Sequence, residues 1–187
     1  MRIPMIAVAT LTTLASLWGI AAPSPQAMHP AKGDVSFKTA LSLIAATTTY
    51  NETHLWGAKY YFTLSLPENA GEALGKVTIN QRQGFEDIRF KIKHTQAFKG
   101  TPRQKGERLT IKEVTKDSNS PAIAVTFDPP VKPGTTVTIE LRPVRNPSVS
   151  GVYIFGVTAF PAVDNPYGLY LGVGRLHFYD SRPDFIH

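Results

Sequence analysis

The chain contains no cysteine. This absence removes disulfides, thiolate zinc sites and thiol nucleophiles, and it rules out a lipid-modified cysteine behind a leader. Charge is also sparse. Asp, Glu, Lys and Arg make up 18% of the residues against 42% hydrophobic, the balance of a folded domain and not of a disordered chain. No internal repeat or low-complexity tract is present, and no stretch beyond the N-terminus keeps a long helical period. The common hydrolytic motifs are missing too. No Gly-x-Ser-x-Gly elbow occurs, and "PSVSG" reads as a turn. Glu68, Glu72, Glu86, Asp87 and Asp128 are a carboxylate set of the kind any small protein carries, with nothing to mark a glycosidase pair. "GLYLGVGRL" has a Gly-x-Gly with no helix after it to present amides to phosphate.

What is there begins with a leader. "MRIPMIAVATLTTLASLWGIAAPSPQA" opens with one Arg, runs apolar, and ends in small residues and prolines, which is the signal-peptide pattern. Cleavage is expected after Ala21 or Ala27. The apolar run of about 20 residues would also span a bilayer if it were retained. Either way the domain is expected outside the cytoplasm, in the periplasm or secreted. The expected division is a signal peptide over 1–27, a linker over 28–36, a β-sandwich domain over 37–180 and a tail over 181–187.

Beyond the linker the hydrophobic period becomes two. Tyr60, Phe62, Leu64 and Leu66 alternate with more polar neighbours, and so do Val77 and Ile79, and Ile88, Phe90 and Ile92. The same holds for Leu109 and Ile111, for Ile123, Val125 and Phe127, for Val137, Ile139 and Leu141, and for Leu176 and Phe178. Each run is a half-buried strand, because a one-residue slip would turn its apolar face to water. "TALSLIAATTTY" alternates weakly and is read as the first strand, with helix as the alternative. Turn signals such as "KGTPRQKGE", "DPPVKPGT" and "RNPSVSG" separate the runs. The expected fold is all-β: a single antiparallel β-sandwich, immunoglobulin-like, with about eight or nine strands. At most one helical turn is expected, near Ala70 to Leu74.

"GVYIFGVTAFPA", Gly151 to Ala162, departs from this pattern. Val152, Ile154 and Phe160 share one face; Tyr153, Phe155, Val157 and Ala159 share the other. A helix of 12 residues would rise only about 18 Å, too short for a bilayer. A strand apolar on both faces must be covered on both. The 163–174 loop and the segment from Val35 to Tyr50 are the two candidates for the cover. Without a cover, the stretch would be a wall for a ligand.

Several phrases together resemble a known family. "YYFTLSLPENAGEALGKVTI", "AFKGTP", "PPVKPGTTVTIELRPVRNP", "GVYIFGVTAFPA" and "LGVGRLHFYD" are similar, in order and content, to exported cyanobacterial proteins grouped as domain of unknown function 2808. The resemblance covers about Tyr60 to Asp180. It implies an exported, β-rich single domain, and it carries over no catalytic residue.

Candidate sites follow from charge, aromatics and histidines. The formal net charge is +6, and it is densest between Lys91 and Lys116. Lys91, Lys93, Lys99, Arg103, Lys105 and Arg108 form an expected basic hairpin suited to an anionic partner. Acidic envelope polysaccharide, a lipid surface or another envelope protein are the partner classes; export argues against nucleic acid. Trp56, Tyr167 and Tyr170 lie near strand ends, where aromatics either plug a sandwich or meet a partner. The five histidines show no close ligand spacing. Copper is the alternative cofactor, held by some of His29, His54, His94 and His177. The main expectation is a non-enzymatic envelope-associated binding or structural module, with no cofactor. The alternatives are a periplasmic copper-handling protein and a hydrolase without a readable motif.

Overall fold

The computed structural model describes residues 35–116 and 121–180. The expected leader, all but the end of the expected linker, the C-terminal tail and His29 lie outside the described residues. Among the described residues no helix is long and apolar enough to cross a membrane.

Ten strands form two five-stranded antiparallel sheets. They are β1 (Ser42–Thr48), β2 (Tyr60–Leu66), β3 (Leu74–Gln83), β4 (Gln96–Gly100), β5 (Lys105–Arg108), β6 (Ile111–Lys116), β7 (Ala122–Val131), β8 (Thr135–Leu141), β9 (Gly151–Pro161) and β10 (Leu169–Phe178). One sheet has the order β1-β2-β8-β4-β5, the other β10-β9-β3-β7-β6. The fold is therefore the expected immunoglobulin-like sandwich, with ten strands in place of eight or nine.

The alternation places the core. Tyr60, Phe62, Leu64 and Leu66 of β2 and Val137, Ile139 and Leu141 of β8 point inward. They meet Val77 and Ile79 of β3, Ile123, Val125 and Phe127 of β7, and Tyr153, Phe155, Val157 and Ala159 of β9. Each large side chain removed from water contributes about 1.5–3 kcal/mol. At one end the core is aromatic. Phe62 and Phe155 meet edge to face at 5.5 Å, as do Tyr153 and Phe178 at 5.5 Å and Tyr60 and Phe90 at 5.7 Å. Such geometry sets the positive ring edge against the negative ring face. The first sheet's β1 and the second sheet's β10 close one side of the sandwich. At Gly174 a Cβ would run into the Ala46 Cβ, so only glycine lets these two strands approach.

Two strand readings need correction. The alternation of Ile88, Phe90 and Ile92 does not make a strand. Phe90 forms an isolated bridge with Pro143, and Ile92–His94 is a short 3₁₀ turn. The chain rejoins β8 only at Gln96, opposite Glu140. Lys91 N–H still donates to the Arg142 carbonyl, just past the end of β8, and the chain then turns through His94 N–H to the Lys91 carbonyl. The apolar side chains still reach the core, with Ile88 buried and Phe90 and Ile92 packed against it. The second correction concerns Leu109 and Ile111, which do not share one strand. The chain crosses from β5 in one sheet to β6 in the other at 109–110. The helical turn expected near Ala70 is a plain turn, closed by Ala70 N–H to the Pro67 carbonyl at 3.1 Å. The weakly alternating first segment is strand β1, not helix.

The doubly apolar stretch is β9, which lies inside its sheet between β10 and β3. The chain itself covers part of the second face: Ile154 and Phe160 are half-buried, and Val152 stays 40% exposed. A Cβ on Gly156 would meet Arg82 Nε at 3.0 Å and Tyr170 Cε2 at 3.2 Å. Gly168 packs on the Phe160 ring, and Lys76 Nζ stands 4.3 Å from that ring's centre. The 163–174 segment thus supplies part of the cover. Most of the segment from Val35 to Tyr50 does not, because β1 joins the other sheet.

Candidate functional site

The first sheet has a buried outer face, which is unusual for a strand pair that alternates with polar residues. Tyr61 and Thr63 of β2 and Thr138 and Glu140 of β8 point away from the core, yet Glu140 is only 1% exposed. The β4–β5 hairpin folds back over them. Thr63 and Thr138 hydroxyls are 2.9 Å apart, and the Thr138 hydroxyl donates to the Gly100 carbonyl at 2.6 Å. Gly100 has φ +89°, and a Cβ there would strike the Gln104 carbonyl, so this tight hairpin requires glycine.

Three cations converge on the covered carboxylate. Arg142 Nε donates to Glu140 Oε1 at 3.0 Å, Lys105 Nζ to Oε2 at 3.3 Å, and Lys59 Nζ stands 3.6 Å from Oε1. Lys105 also lies over two rings, 4.7 Å from the centre of Phe98 and 5.3 Å from that of Tyr61. Burial pushes the Glu140 carboxyl up. The hydrogen bonds from Arg142 and Lys105 and the charges of Lys59 and Lys105 outweigh it and hold the group below its ordinary value of 4.5. Burial raises the Tyr61 hydroxyl, helped by the Glu140 charge. One negative charge against three positive ones leaves this face with surplus positive charge.

The expected basic residues divide between elements. Lys99, Arg103, Lys105 and Arg108 belong to the β4–β5 hairpin, whereas Lys91 and Lys93 lie in the preceding loop and 3₁₀ turn. All six are exposed. Lys99 pairs with Glu107 at 2.6 Å. The run from Lys91 to Lys116 is thus not a single hairpin, since its last part belongs to the opposite sheet. Lys59 and Arg142 were not among the expected residues. Lys59 reaches Glu140 only because β2 and β8 pair, with Tyr61 opposite Glu140, whereas Arg142 follows Glu140 by two residues and shares its side of the chain.

The three expected aromatics do not form one surface. Trp56 is 66% exposed on the β1–β2 loop, Tyr170 rests on Gly156 in the second sheet, and Tyr167 is half-buried. Trp56 has other company at its end of the sandwich. Tyr50, Leu55, Phe85, Val149 and Tyr179 are exposed on loops there. A buried Asn146 ties these loops together. It accepts from the Tyr60 hydroxyl at 2.9 Å and donates to the Tyr50 and Glu52 carbonyls at 3.0 and 2.9 Å. Glu86 accepts from the Ser148 hydroxyl at 2.9 Å and from the Ser148 amide. Burial raises the Glu86 carboxyl, but these hydrogen bonds and Arg145 bring it below its ordinary value.

His54, His94 and His177 are exposed on three different elements: a loop, the 3₁₀ turn and β10. Among the described residues no three His, Asp or Glu side chains gather into a metal-binding group.

Several solved structures resemble the fold at low identity. The collagen binding subdomain of the Enterococcus faecalis surface protein ACE is 6% identical, with a TM-score of 0.41; 71% of this chain and 93% of that one are covered. The collagen-binding domain from a Staphylococcus aureus adhesin is 10% identical, with a TM-score of 0.38, covering 74% and 99%. An uncharacterised protein from Nocardia farcinica, described as having an immunoglobulin-like fold, is 14% identical, with a TM-score of 0.38, covering 72% and 96%. No curated protein matches the chain. The family model described as "Protein of unknown function (DUF2808)" matches residues 34–178, and the chain belongs to that family.

Proposed function

We propose that this protein is an exported, non-enzymatic binding module that presents the exposed cations of its β4–β5 hairpin, which covers the outer face of the first sheet, to anionic polymer of the cell envelope. The leader pattern supports export. The observation that carries the binding reading is the convergence of Lys59, Lys105 and Arg142 on the single buried carboxylate of Glu140. That arrangement fixes the hairpin and leaves net positive charge where the hairpin's other cations also stand. Arg103, Lys91 and Lys93 extend the charge along the exposed rim. A fixed basic face attracts anionic chains over the distance that salt allows, about 8–10 Å at physiological ionic strength.

The test is retention of the purified protein on an acidic polysaccharide, compared with a neutral one, as salt is raised. The expected result is preferential retention on the acidic polymer that weakens with salt. Replacing Lys91, Lys93 and Arg103 together by Gln should weaken it further without lowering the melting temperature. Equal retention on both polymers, or binding indifferent to salt, would overturn the reading.

A further inference from the structure

We propose that the cleft where the chain crosses between sheets is a binding subsite for one uronate-type sugar residue of an acidic polysaccharide. This rests on the reading above and adds a place and a chemical unit to it. The cleft has a volume of about 290 Å³ and lies between the end of the β4–β5 hairpin and the β7–β8 turn. Its cations are Lys99, Arg108 and Lys132, and its lining includes Leu109, Pro129 and Pro130. Its one carboxylate, Glu107, is held by Lys99 at 2.6 Å. Among the described residues no carboxylate lies within ion-pair distance of Arg108 or Lys132, so the cleft offers two uncompensated charges.

These features select a ligand with two parts. The Arg108 guanidinium is a planar donor fork that matches a carboxylate through two parallel hydrogen bonds. The Leu and Pro side chains of the lining are apolar and suit the C–H face of a sugar ring. A volume near 300 Å³ is at the small end for ligand sites, which fits one ring and not an extended segment. A membrane is the weaker occupant. The cleft is concave, and the exposed Trp56, Phe85 and Tyr179 that could anchor in a bilayer sit on loops tied by Asn146, by the Glu52–Tyr179 bridge and, for Phe85, by the Ser148–Glu86 hydrogen bond. None of them lines the cleft.

The experiment is calorimetric titration of the full-length protein with a hexagalacturonate, with its neutral hexasaccharide counterpart and with anionic-lipid vesicles. Arg108→Gln and Lys132→Gln are compared with the rim variant that replaces Lys91, Lys93 and Arg103. Each cleft variant should weaken hexagalacturonate binding about tenfold, the loss expected for one charge-assisted contact. Both side chains are exposed, so folding should persist, and an unchanged melting temperature checks this. Wild-type affinity in both cleft variants, with loss confined to the rim variant, overturns the subsite while the broader reading stands. If the wild type retains no acidic polysaccharide, the broader reading falls, and backbone-amide NMR with galacturonate monomer then decides the cleft. Shifts at 99, 108–110 and 129–132 support it, and their absence overturns it. Tight binding to vesicles with none to hexagalacturonate also overturns it.

Discussion

Lys105 Nζ stands 3.3 Å from the Glu140 carboxylate, although 35 residues separate them in the chain. The contact pins a hairpin of exposed cations over the outer face of the first sheet. It links the electrostatics of the surface to the stability of the fold.

Glu140→Gln should destabilise the protein by about 1–3 kcal/mol in chemical denaturation. Removing one partner of a fully buried pair costs about 3–5 kcal/mol, but Lys59, Lys105 and Arg142 are each about a third or more exposed and water screens them. A loss below the precision of the measurement would show that the cluster is a surface ornament and not a fastening.

Stability should fall in acid. Glu140 and Glu86 both have folded-state values below the ordinary 4.5. Their stabilising contribution is therefore complete above the unfolded value and is lost as pH falls through the folded one. Melting temperature measured downward from pH 6 should begin to drop near pH 4.5–5 and keep dropping below it. In Glu140→Gln the drop should be shallower, and an identical slope in both proteins would count against the assignment.

Tyr60→Phe should cost about 1–3 kcal/mol. It leaves the Oδ1 of Asn146, a residue that is 0% exposed, without its donor. Asn146→Ala should cost at least as much, because the Tyr50 and Glu52 carbonyls also lose their donor. Hydrogen exchange in the 49–56 loop should quicken in Asn146→Ala more than in the hairpin. Uniform change across the domain would contradict a local tie.

Glycine substitutions should separate the two faces of the second sheet. Gly174→Ala places its methyl against Ala46 on the opposing strand and should destabilise markedly. Gly156→Ala meets the flexible ends of Arg82 and Tyr170 at 3.0–3.2 Å and should be tolerated to within about 1 kcal/mol. Thermal unfolding of the two variants distinguishes them, and equal losses would mean that the cover of β9 is as rigid as its core side.

Legibility varied with how local the cause was. The inward faces of β2, β3, β7, β8 and β9 could be read residue by residue because a strand's side chains alternate whatever it pairs with. The same rule misled at Ile88, Phe90 and Ile92. Those side chains do reach the core, but the pairing with 142–144 is limited to one bridge at Phe90–Pro143, and the chain turns directly after it. The cations of the β4–β5 hairpin were visible as a dense run. Lys59 was not, since nothing near it in sequence reports its approach to Glu140; Arg142, two residues from Glu140, lay within reach of the alternation rule.

The sequence alone determined the all-β class, the two apolar faces of "GVYIFGVTAFPA" and the basic character of the 91–108 region. These follow from composition and period, which act within a few residues. Only the tertiary structure decided that β5 and β6 belong to different sheets, that Tyr170, Gly168, Lys76 and Arg82 cover β9, and that Glu140 lies buried among three cations. Those outcomes depend on strand register and on contacts between segments far apart in the chain, where packing and charge, not local preference, select the arrangement.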